Sequence, residues 1–198
     1  LGGRTLGLVG FGNIARIVAD IARGFGMRLT VADPFVDDSV VTAAGATLVS
    51  FDDLVATSDV ISLHVPLTDD TAHLVDADVL RRMRQGAILV NTSRGGLIDE
   101  SALLDALTDG HLGGAALDVL SGESIDMKNP LPYTALSDHN AGLDNLIITP
   151  HIAGQTDRAL LTAGREAVDC IRTALAGRAP RNAVAPVSPD ATPADARR

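Results

Sequence analysis

Short apolar runs alternate with stretches of helical periodicity along most of the chain. The runs predict β-strands that are apolar on both faces, and they cover residues 6–9, 29–32, 60–63, 87–90, 115–117 and 146–148. Spacings of three and four between apolar residues predict helices over 13–25, 51–57, 77–83, 100–107 and 156–175. This alternation is typical of α/β proteins, so the sequence predicts a doubly wound parallel sheet with helices on both faces.

Two segments fall outside this alternation. Residues 124–145 are polar, contain two prolines and predict an insertion loop with room for a short helix. Residues 188–198 are rich in Ala, Pro, Asp and Arg, and are predicted to be disordered. We therefore expect a sheet domain over 1–154, a returning helix and following segment over 155–187, and a tail. Because residue 1 is Leu and leads directly into a strand, we also expect this chain to be part of a longer protein.

The composition argues against several classes of function. The 198 residues include 16 basic and 25 acidic side chains, and the net charge of −9 would repel a nucleic-acid backbone. A single cysteine, Cys170, excludes disulfide frameworks and multi-thiolate zinc sites, and no cluster of histidine and acidic residues suggests another metal. No apolar run reaches membrane length and no signal peptide opens the chain, so a cytoplasmic location is the default expectation.

A glycine-rich loop follows the first predicted strand and opens the first predicted helix. Gly10, Gly12 and Ala15 fit the pattern G-x-G-x-x-G/A, in which glycines permit a tight turn and the close approach of a phosphate. The helix N-terminus then faces the anion. Asp33 ends the next strand about 20 residues further on, where a carboxylate binds ribose hydroxyls and repels a 2′-phosphate. These residues predict a Rossmann-type dinucleotide site that prefers NAD to NADP.

Four further motifs follow along the chain. They are His64-Val65-Pro66-Leu67-Thr68 with Thr71, VNTSRGGLIDE at 90–100, GAALDV at 114–119 and TPHIAG at 149–154. With the glycine loop, these motifs resemble the NAD-binding domain of the D-isomer-specific 2-hydroxyacid dehydrogenases, the family of phosphoglycerate and hydroxypyruvate dehydrogenases. The resemblance covers roughly residues 1–180. It implies hydride transfer between nicotinamide and C2 of a small D-2-hydroxy acid or 2-oxo acid.

The resemblance assigns the chemistry to three residues. Arg94 matches the substrate-binding arginine, whose planar guanidinium suits a carboxylate. His151, in Pro-His-x-x-Gly, matches the acid/base that moves a proton at the carbonyl oxygen. Glu123 matches the acidic partner that orients this histidine and favours its charged form. The family usually has Glu-Pro where this chain has Glu-Ser, so Asp126 stays open as an alternative partner.

Each of these residues also has a structural explanation, namely a salt-bridged or helix-capping arginine, a core histidine and a surface glutamate. Four other histidines occur, and none of them lies in the Pro-His-x-x-Gly context. His64 terminates a strand and is expected to be structural. His139 is expected to be a solvated loop residue. The motif context favours Arg94 and His151 as functional residues.

A larger set of residues is implied to contact the cofactor. It comprises Gly10, Gly12, Asn13, Ile14, Asp33, Val65, Thr92, Ser93, Arg94, Asp118, His151 and Gly154. Asp118 is expected near the nicotinamide carboxamide, and Gly154 in the loop that holds His151. The resemblance implies no metal. It does imply a small acid substrate and a homodimer formed through the NAD-binding domain.

Family members have a second, substrate-binding domain. Most of it is expected to be missing from this chain, and residues 155–187 are expected to be its remnant. With the cleft open on one side, we expect NADH binding but slow turnover, because water surrounds the reacting groups. The alternatives are an NADH-sensing regulatory protein that resembles the corepressor relatives of this family, and a catalytically incomplete cofactor-binding domain. A formate-type dehydrogenase is disfavoured, since those have Gln where Glu123 stands.

Overall fold

A computed structural model describes residues 1–137, 142–181 and 183 of the chain. The chain divides into two compact units, Leu1–Ala153 and Gly154–Arg198. The division lies next to the boundary predicted after residue 154. The assignment of the second unit to a substrate domain stays a prediction, and the predicted disordered tail at 188–198 lies outside the described residues.

A seven-stranded parallel sheet forms the first unit. Its strands are β1 (Thr5–Val9), β2 (Arg28–Ala32), β3 (Thr47–Leu48), β4 (Val60–Leu63), β5 (Ile88–Asn91), β6 (Gly114–Leu117) and β7 (Leu146–Ile148). They pair in the order β3-β2-β1-β4-β5-β6-β7. The order reverses between β1 and β4, which confirms the predicted doubly wound, Rossmann-type sheet.

Helices connect most of these strands. They are α1 (Asn13–Gly24), α2 (Asp38–Ala43), α3 (Phe51–Thr57), α4 (Ala77–Arg82) and α5 (Glu100–Thr108), with α6 (Asp157–Leu175) in the second unit. Every strand and helix predicted from the sequence is present, with each end within one residue of its predicted position. The short elements β3 and α2 were not predicted, because two strand residues and six helical residues are too few to show a period. Within the described ranges, no helix is long and apolar enough to cross a membrane.

Two clusters of aliphatic side chains pack against the first unit's sheet. One includes Leu54, Leu80 and Leu103 from α3, α4 and α5, and the other includes residues of α1 and α2. The polar loop predicted at 124–145 contributes Leu136, which is fully buried in the first cluster. This loop is therefore anchored in the core, although residues 138–141 lie outside the described part.

Helix α1 packs on the sheet through small side chains rather than through its isoleucines. Ala15 and Ala19 are 0% exposed, whereas Ile14, Ile17 and Ile21 are 66%, 62% and 58% exposed. The apolar spacing that predicted this helix therefore belongs largely to its outer face. Alanine on the inner face lets the helix lie close to the strands.

We expect Ala19→Leu to destabilise the first unit, because the larger side chain has no room between α1 and the sheet. The loss in the free energy of unfolding should be about 1–3 kcal/mol. The matched control is Ala56→Leu on the exposed side of α3, where a change within about 0.5 kcal/mol is expected. Urea unfolding of both variants measures the difference. Equal stability of the two would contradict the packing described for α1.

Candidate active site

The predicted site residues of the first unit gather at one edge of the sheet. Parallel strands all end at the same edge, and a doubly wound sheet binds ligands there. The residues in question are Gly10 after β1, Asp33 after β2, Val65 after β4, Ser93 and Arg94 after β5, Asp118 after β6 and His151 after β7. The topology therefore brings together groups that lie far apart in sequence.

The glycine loop has the geometry that its pattern predicts. Gly10 has a φ of +86°, and a Cβ at this position would lie 2.9 Å from the carbonyl oxygen of His64. Its amide donates to the carbonyl oxygen of Ala32 at 2.9 Å, which ties the loop to the end of β2. A Cβ at Gly12, by contrast, would meet nothing within 4 Å. The space in front of Gly12 is therefore open to a ligand.

The N-terminus of α1 is suited to an anion. Its N-cap residue is Gly12, so no side chain caps the helix, and no acidic residue lies in the first turn. Asn13 and Ile14 form that turn and are exposed. The first amides of a helix have no partners within the helix and lie at the positive end of its dipole. This end of α1 is therefore available to a phosphate group.

The Asp33 carboxylate is held beside the glycine loop. Its Oδ2 accepts a hydrogen bond from the amide of Phe11 at 2.8 Å, and its Oδ1 accepts one from the amide of Phe35 at 2.8 Å. Each carboxylate oxygen can accept a further bond, because it has two lone pairs. The structure therefore brings the predicted ribose-binding carboxylate and the predicted phosphate loop together.

The loop after β5 is organised by a fully buried amide side chain. Asn91 accepts from the amide of Ser93 at 3.0 Å through Oδ1 and donates to the carbonyl oxygen of Arg94 at 2.8 Å through Nδ2. Ser93 donates its hydroxyl to the carbonyl oxygen of Leu63 at 2.8 Å, which joins this loop to the end of β4. Thr92 is exposed at the same edge.

Arg94 is exposed, and its Nη1 donates to the carbonyl oxygen of Ser93 at 2.6 Å. Among the residues that the structure describes, no carboxylate forms an ion pair with this guanidinium. The alternative of a salt-bridged arginine therefore has no support in the described ranges. The guanidinium is available to a carboxylate from outside the chain.

His151 and Glu123 form a hydrogen-bonded pair across 28 positions of sequence. Nδ1 of the imidazole lies 2.9 Å from Oε2 of the carboxylate, and Nδ1 is the donor because an ionised carboxylate only accepts. His151 has a φ of +52°, a left-handed conformation that is rare outside glycine. Its amide donates to the carbonyl oxygen of Asp118 at 2.8 Å, which holds the backbone in that conformation.

The alternative partner Asp126 faces its own loop. Its Oδ1 accepts from the amides of Lys128 and Asn129 at 2.9 and 3.3 Å. Glu123 instead lies in the 3₁₀ turn Ser121–Ser124 and accepts from the amide of Leu120 at 3.2 Å through its second oxygen. The geometry therefore pairs Glu123, and not Asp126, with His151.

Asp118 holds the loop that contains His151. Its Oδ1 accepts from the Thr149 hydroxyl at 2.5 Å and from the Ile152 amide at 2.9 Å, and its Oδ2 accepts from the Ala153 amide at 2.9 Å. Burial acts to raise the pKa of Asp118, but these donors and the nearby His151 together hold that pKa below its ordinary value. The predicted contact with the carboxamide stays a prediction.

The other histidines have different surroundings. His64 is half-buried with Nε2 3.0 Å from the Ser62 hydroxyl, and burial lowers the pKa of His64. His111 Nε2 lies 3.0 Å from the carbonyl oxygen of Leu80, away from the carboxyl edge of the sheet. His139 lies outside the described residues. Of the described histidines, His151 is the one paired with a carboxylate.

Two site residues were missed by the sequence analysis. Asn91 and Glu100 both lie within the motif at 90–100, and both are buried polar side chains that bond to backbone groups of the site loops. A polar residue at the end of a buried strand was the only available signal for Asn91. Glu100 had the appearance of an ordinary acidic residue in the first turn of a helix.

Comparison with known proteins supports the same interpretation. Residues 1–153 match the family described as D-isomer specific 2-hydroxyacid dehydrogenase, NAD binding domain. The chain belongs to this family. Glycerate dehydrogenase of Methylorubrum extorquens is 40% identical over 184 residues, which cover 93% of this chain and 54% of that protein. (S)-sulfolactate dehydrogenase of Chromohalobacter salexigens is 43% identical over 180 residues, covering 89% and 55%.

A solved structure agrees with this family assignment. The crystal structure of D-lactate dehydrogenase with NAD⁺ from Lactobacillus jensenii superposes with a TM-score of 0.84 at 28% identity, covering 92% of this chain and 56% of that one. NAD is the cofactor of this 2-hydroxyacid dehydrogenase domain, and the open space at Gly12 and the fixed Asp33 carboxylate fit it. The chain spans about half the length of the curated relatives named above.

Within the described ranges, no group of three or more His, Cys, Asp or Glu side chains could hold a metal ion. Gly154 is the first residue of the second unit, so its predicted cofactor contact stays a prediction.

We expect Asp118→Asn to destabilise the first unit at neutral pH and to have little effect in acid. The pKa of Asp118 is lowered on folding from its ordinary value of 3.8. The stability that its ionised carboxylate contributes is therefore fully present above pH 3.8 and is lost as the pH falls through the pKa of the folded state. The loss at neutral pH should be about 1–3 kcal/mol, and it should shrink below about pH 4.

Urea unfolding between about pH 3 and pH 7 measures this difference. Asp105→Asn, on the exposed side of α5, is the matched control and should change stability little at any pH. A loss in Asp118→Asn that is as large in acid as at neutral pH would contradict the role of the charge.

Proposed function

We propose that this chain is the NAD-binding half of an enzyme that interconverts a small D-2-hydroxy acid and its 2-oxo acid. The observation that supports this most strongly is the His151–Glu123 pair, 2.9 Å apart at the sheet edge that also holds Arg94 and the glycine loop. When bound, the nicotinamide supplies or accepts the hydride. The side chains of the protein bind the acid and move its proton.

Arg94 is the substrate-binding residue in this proposal. Its guanidinium has a planar, bidentate arrangement of donors that fits a carboxylate, and the buried Asn91 fixes the backbone on which it stands. A carboxylate bound there would place the adjacent C2 at the same edge as His151. A lysine would supply charge but not the paired donors.

His151 is the acid/base in this proposal, and Glu123 is its positioning partner. With Nδ1–H donating to Glu123, Nε2 is the nitrogen that gives a proton to the carbonyl oxygen on reduction and takes it back on oxidation. The hydrogen bond to the carboxylate fixes which nitrogen faces the substrate. The negative charge of Glu123 is itself mostly shielded from solvent, since its side chain is 10% exposed.

Slow turnover is expected of this chain by itself. It spans about half the length of its curated relatives, and Arg94 is exposed to solvent. Water around a reacting centre weakens the electrostatic stabilisation of developing charge. We therefore propose NADH binding with activity more than about tenfold below that of an intact family member.

The first test is NADH oxidation by this chain with glyoxylate, hydroxypyruvate, pyruvate and 2-oxoglutarate, followed by absorbance. Arg94→Ala should lower kcat/KM about a hundredfold with the preferred acid, because one bidentate contact to the carboxylate is lost. Arg81→Ala removes an exposed arginine from α4 and is the matched control, with no change expected.

Turnover that persists in Arg94→Ala would contradict the substrate-binding role. NADH binding with no turnover of any acid would favour a catalytically incomplete domain. Tight NADH binding that changes the affinity for a protein partner would favour the regulatory alternative.

We also propose that two copies of the chain pair through α1. Ile14, Ile17 and Ile21 form an exposed apolar stripe on this helix, and Phe25, just after its C-terminus, extends the stripe; each of them is 58% exposed or more. Exposed apolar side chains that lie side by side are typical of a contact surface. The alanine face of the same helix is already packed on the sheet, so the stripe is the surface that remains for a partner.

Ile17→Asp combined with Ile21→Asp should convert a dimer of twice 20.4 kDa into a monomer, because two charges cannot be buried unpaired in an apolar contact. Analytical ultracentrifugation measures the mass. Met127→Asp, at another exposed apolar side chain, is the matched control and should leave the mass unchanged. A monomeric native chain would contradict the proposal.

A further inference from the structure

Glu100 is a buried carboxylate with both oxygens bound to one residue. It is 6% exposed, its Oε1 accepts from the amide of Ser121 at 2.7 Å, and its Oε2 accepts from the Ser121 hydroxyl at 2.7 Å. The two residues are 21 positions apart, one at the start of α5 and the other at the start of a 3₁₀ turn. Two short charge-assisted bonds between them form a rigid, directional link.

Capping of α5 does not account for this arrangement. Asp99 is the N-cap residue, and its Oδ1 accepts from the amides of Ser101 and Ala102 at 3.0 and 3.1 Å. An acidic residue in the first turn that serves only the helix dipole is ordinarily exposed, as Asp38 is in α2. Glu100 instead faces away from solvent and binds another segment of the chain.

The link leads directly to Glu123. Ser121 is the first residue of the turn Ser121–Ser124, and Glu123 accepts from the amide of Leu120 through Oε1 while Oε2 bonds to His151. The amide of Leu120 therefore donates to Glu123, and the next amide, of Ser121, donates to Glu100. A shift of Ser121 would displace the Glu123 side chain from the imidazole.

The loop after Arg94 presses against the same turn. A Cβ at Gly95 would lie 2.0 Å from the carbonyl carbon of Leu120 and 2.2 Å from the amide nitrogen of Ser121. The two backbones are thus in direct contact at Ser121, and this is the residue whose amide and hydroxyl donate to Glu100. The position of Glu123 is thereby set relative to the loop that holds Arg94.

The charge of Glu100 is poorly stabilised where it lies. Burial is the largest effect and raises the pKa of Glu100; the bonds from Ser121 lower it, the nearby Glu123 raises it further, and the net shift is upward. A buried acid can often be replaced by an apolar side chain of similar volume without loss of stability, so the burial of Glu100 is weak evidence for a stabilising role.

We propose that Glu100 is a positioning residue, which holds the Glu123 carboxylate against His151 by fixing Ser121. This inference rests on the proposed role of the His151–Glu123 pair. It makes Glu100 an indirect participant, because both oxygens of its carboxylate accept from Ser121.

The test measures the His151 ring in this chain by NMR, with no need for turnover. Ring ¹⁵N shifts at alkaline pH report the ratio of the Nδ1–H to the Nε2–H form of the neutral imidazole, and bonding to Glu123 favours the Nδ1–H form. We expect Glu100→Ala to lower this ratio about tenfold, as for the loss of one charge-assisted hydrogen bond. Glu100→Gln should preserve most of the ratio, because an amide can accept from the Ser121 amide and donate to its hydroxyl.

A second variant of the same link and a control complete the test. Ser121→Ala removes one of the two bonds and should lower the ratio by a smaller factor. Asp38→Ala removes a first-turn acid from another helix and should leave the ratio unchanged. Thermal unfolding of each variant shows whether the fold is intact.

An unchanged ratio in Glu100→Ala, or in Ser121→Ala if the former does not fold, would overturn the proposal. A fall in Glu100→Gln as large as that in Glu100→Ala would overturn it as well, since charge rather than bonding to Ser121 would then be responsible. Glu123→Ala, which removes the acceptor of the His151 bond, separates this failure from that of the proposed function. If Glu123→Ala leaves the ring signals unchanged, the His151–Glu123 pair itself fails, and with it both proposals.

Discussion

Parallel pairing of the strands is the constraint on which the rest of the first unit depends. Because all seven strands run in one direction, the loops that follow them emerge at one edge, however far apart they lie in sequence. The reversal of order beside β1 opens a crevice at that edge. The glycine loop, Asp33, Arg94 and the His151–Glu123 pair owe their proximity to this arrangement.

Buried polar side chains turn this general arrangement into specific geometry. Asn91 bonds to the loop of Arg94, Asp118 bonds to the loop of His151, and Glu100 bonds to the turn of Glu123. Each lies at or near the end of a strand or the start of a helix, and each accepts hydrogen bonds from backbone amides of a site loop. The groups assigned to the chemistry are partly exposed, whereas the groups that hold them are buried.

The sequence predicted every strand and helix of the described fold except β3 and α2, because strand and helix spacings are local properties. Buried parallel strands have continuous apolar sequences, and every apolar run predicted to be a strand is one in the structure. The interpretation of α1 needed the structure, since spacing cannot tell an inner face of alanines from an outer face of isoleucines. The pairing of Glu123 rather than Asp126 also needed it, because the path of an irregular loop depends on distant contacts such as that of Glu100 with Ser121.

The left-handed backbone at His151 restricts which substitutions remove the imidazole without also changing the main chain. A residue with φ near +52° is comfortable for Asn or Gly and strained for a branched side chain. Replacement by Val would alter the main chain along with the imidazole, so that lost chemistry and a misplaced loop become indistinguishable. Asparagine tolerates this conformation and has a donor and an acceptor of its own, which makes it the substitution that removes the proton carrier while disturbing the peptide path least.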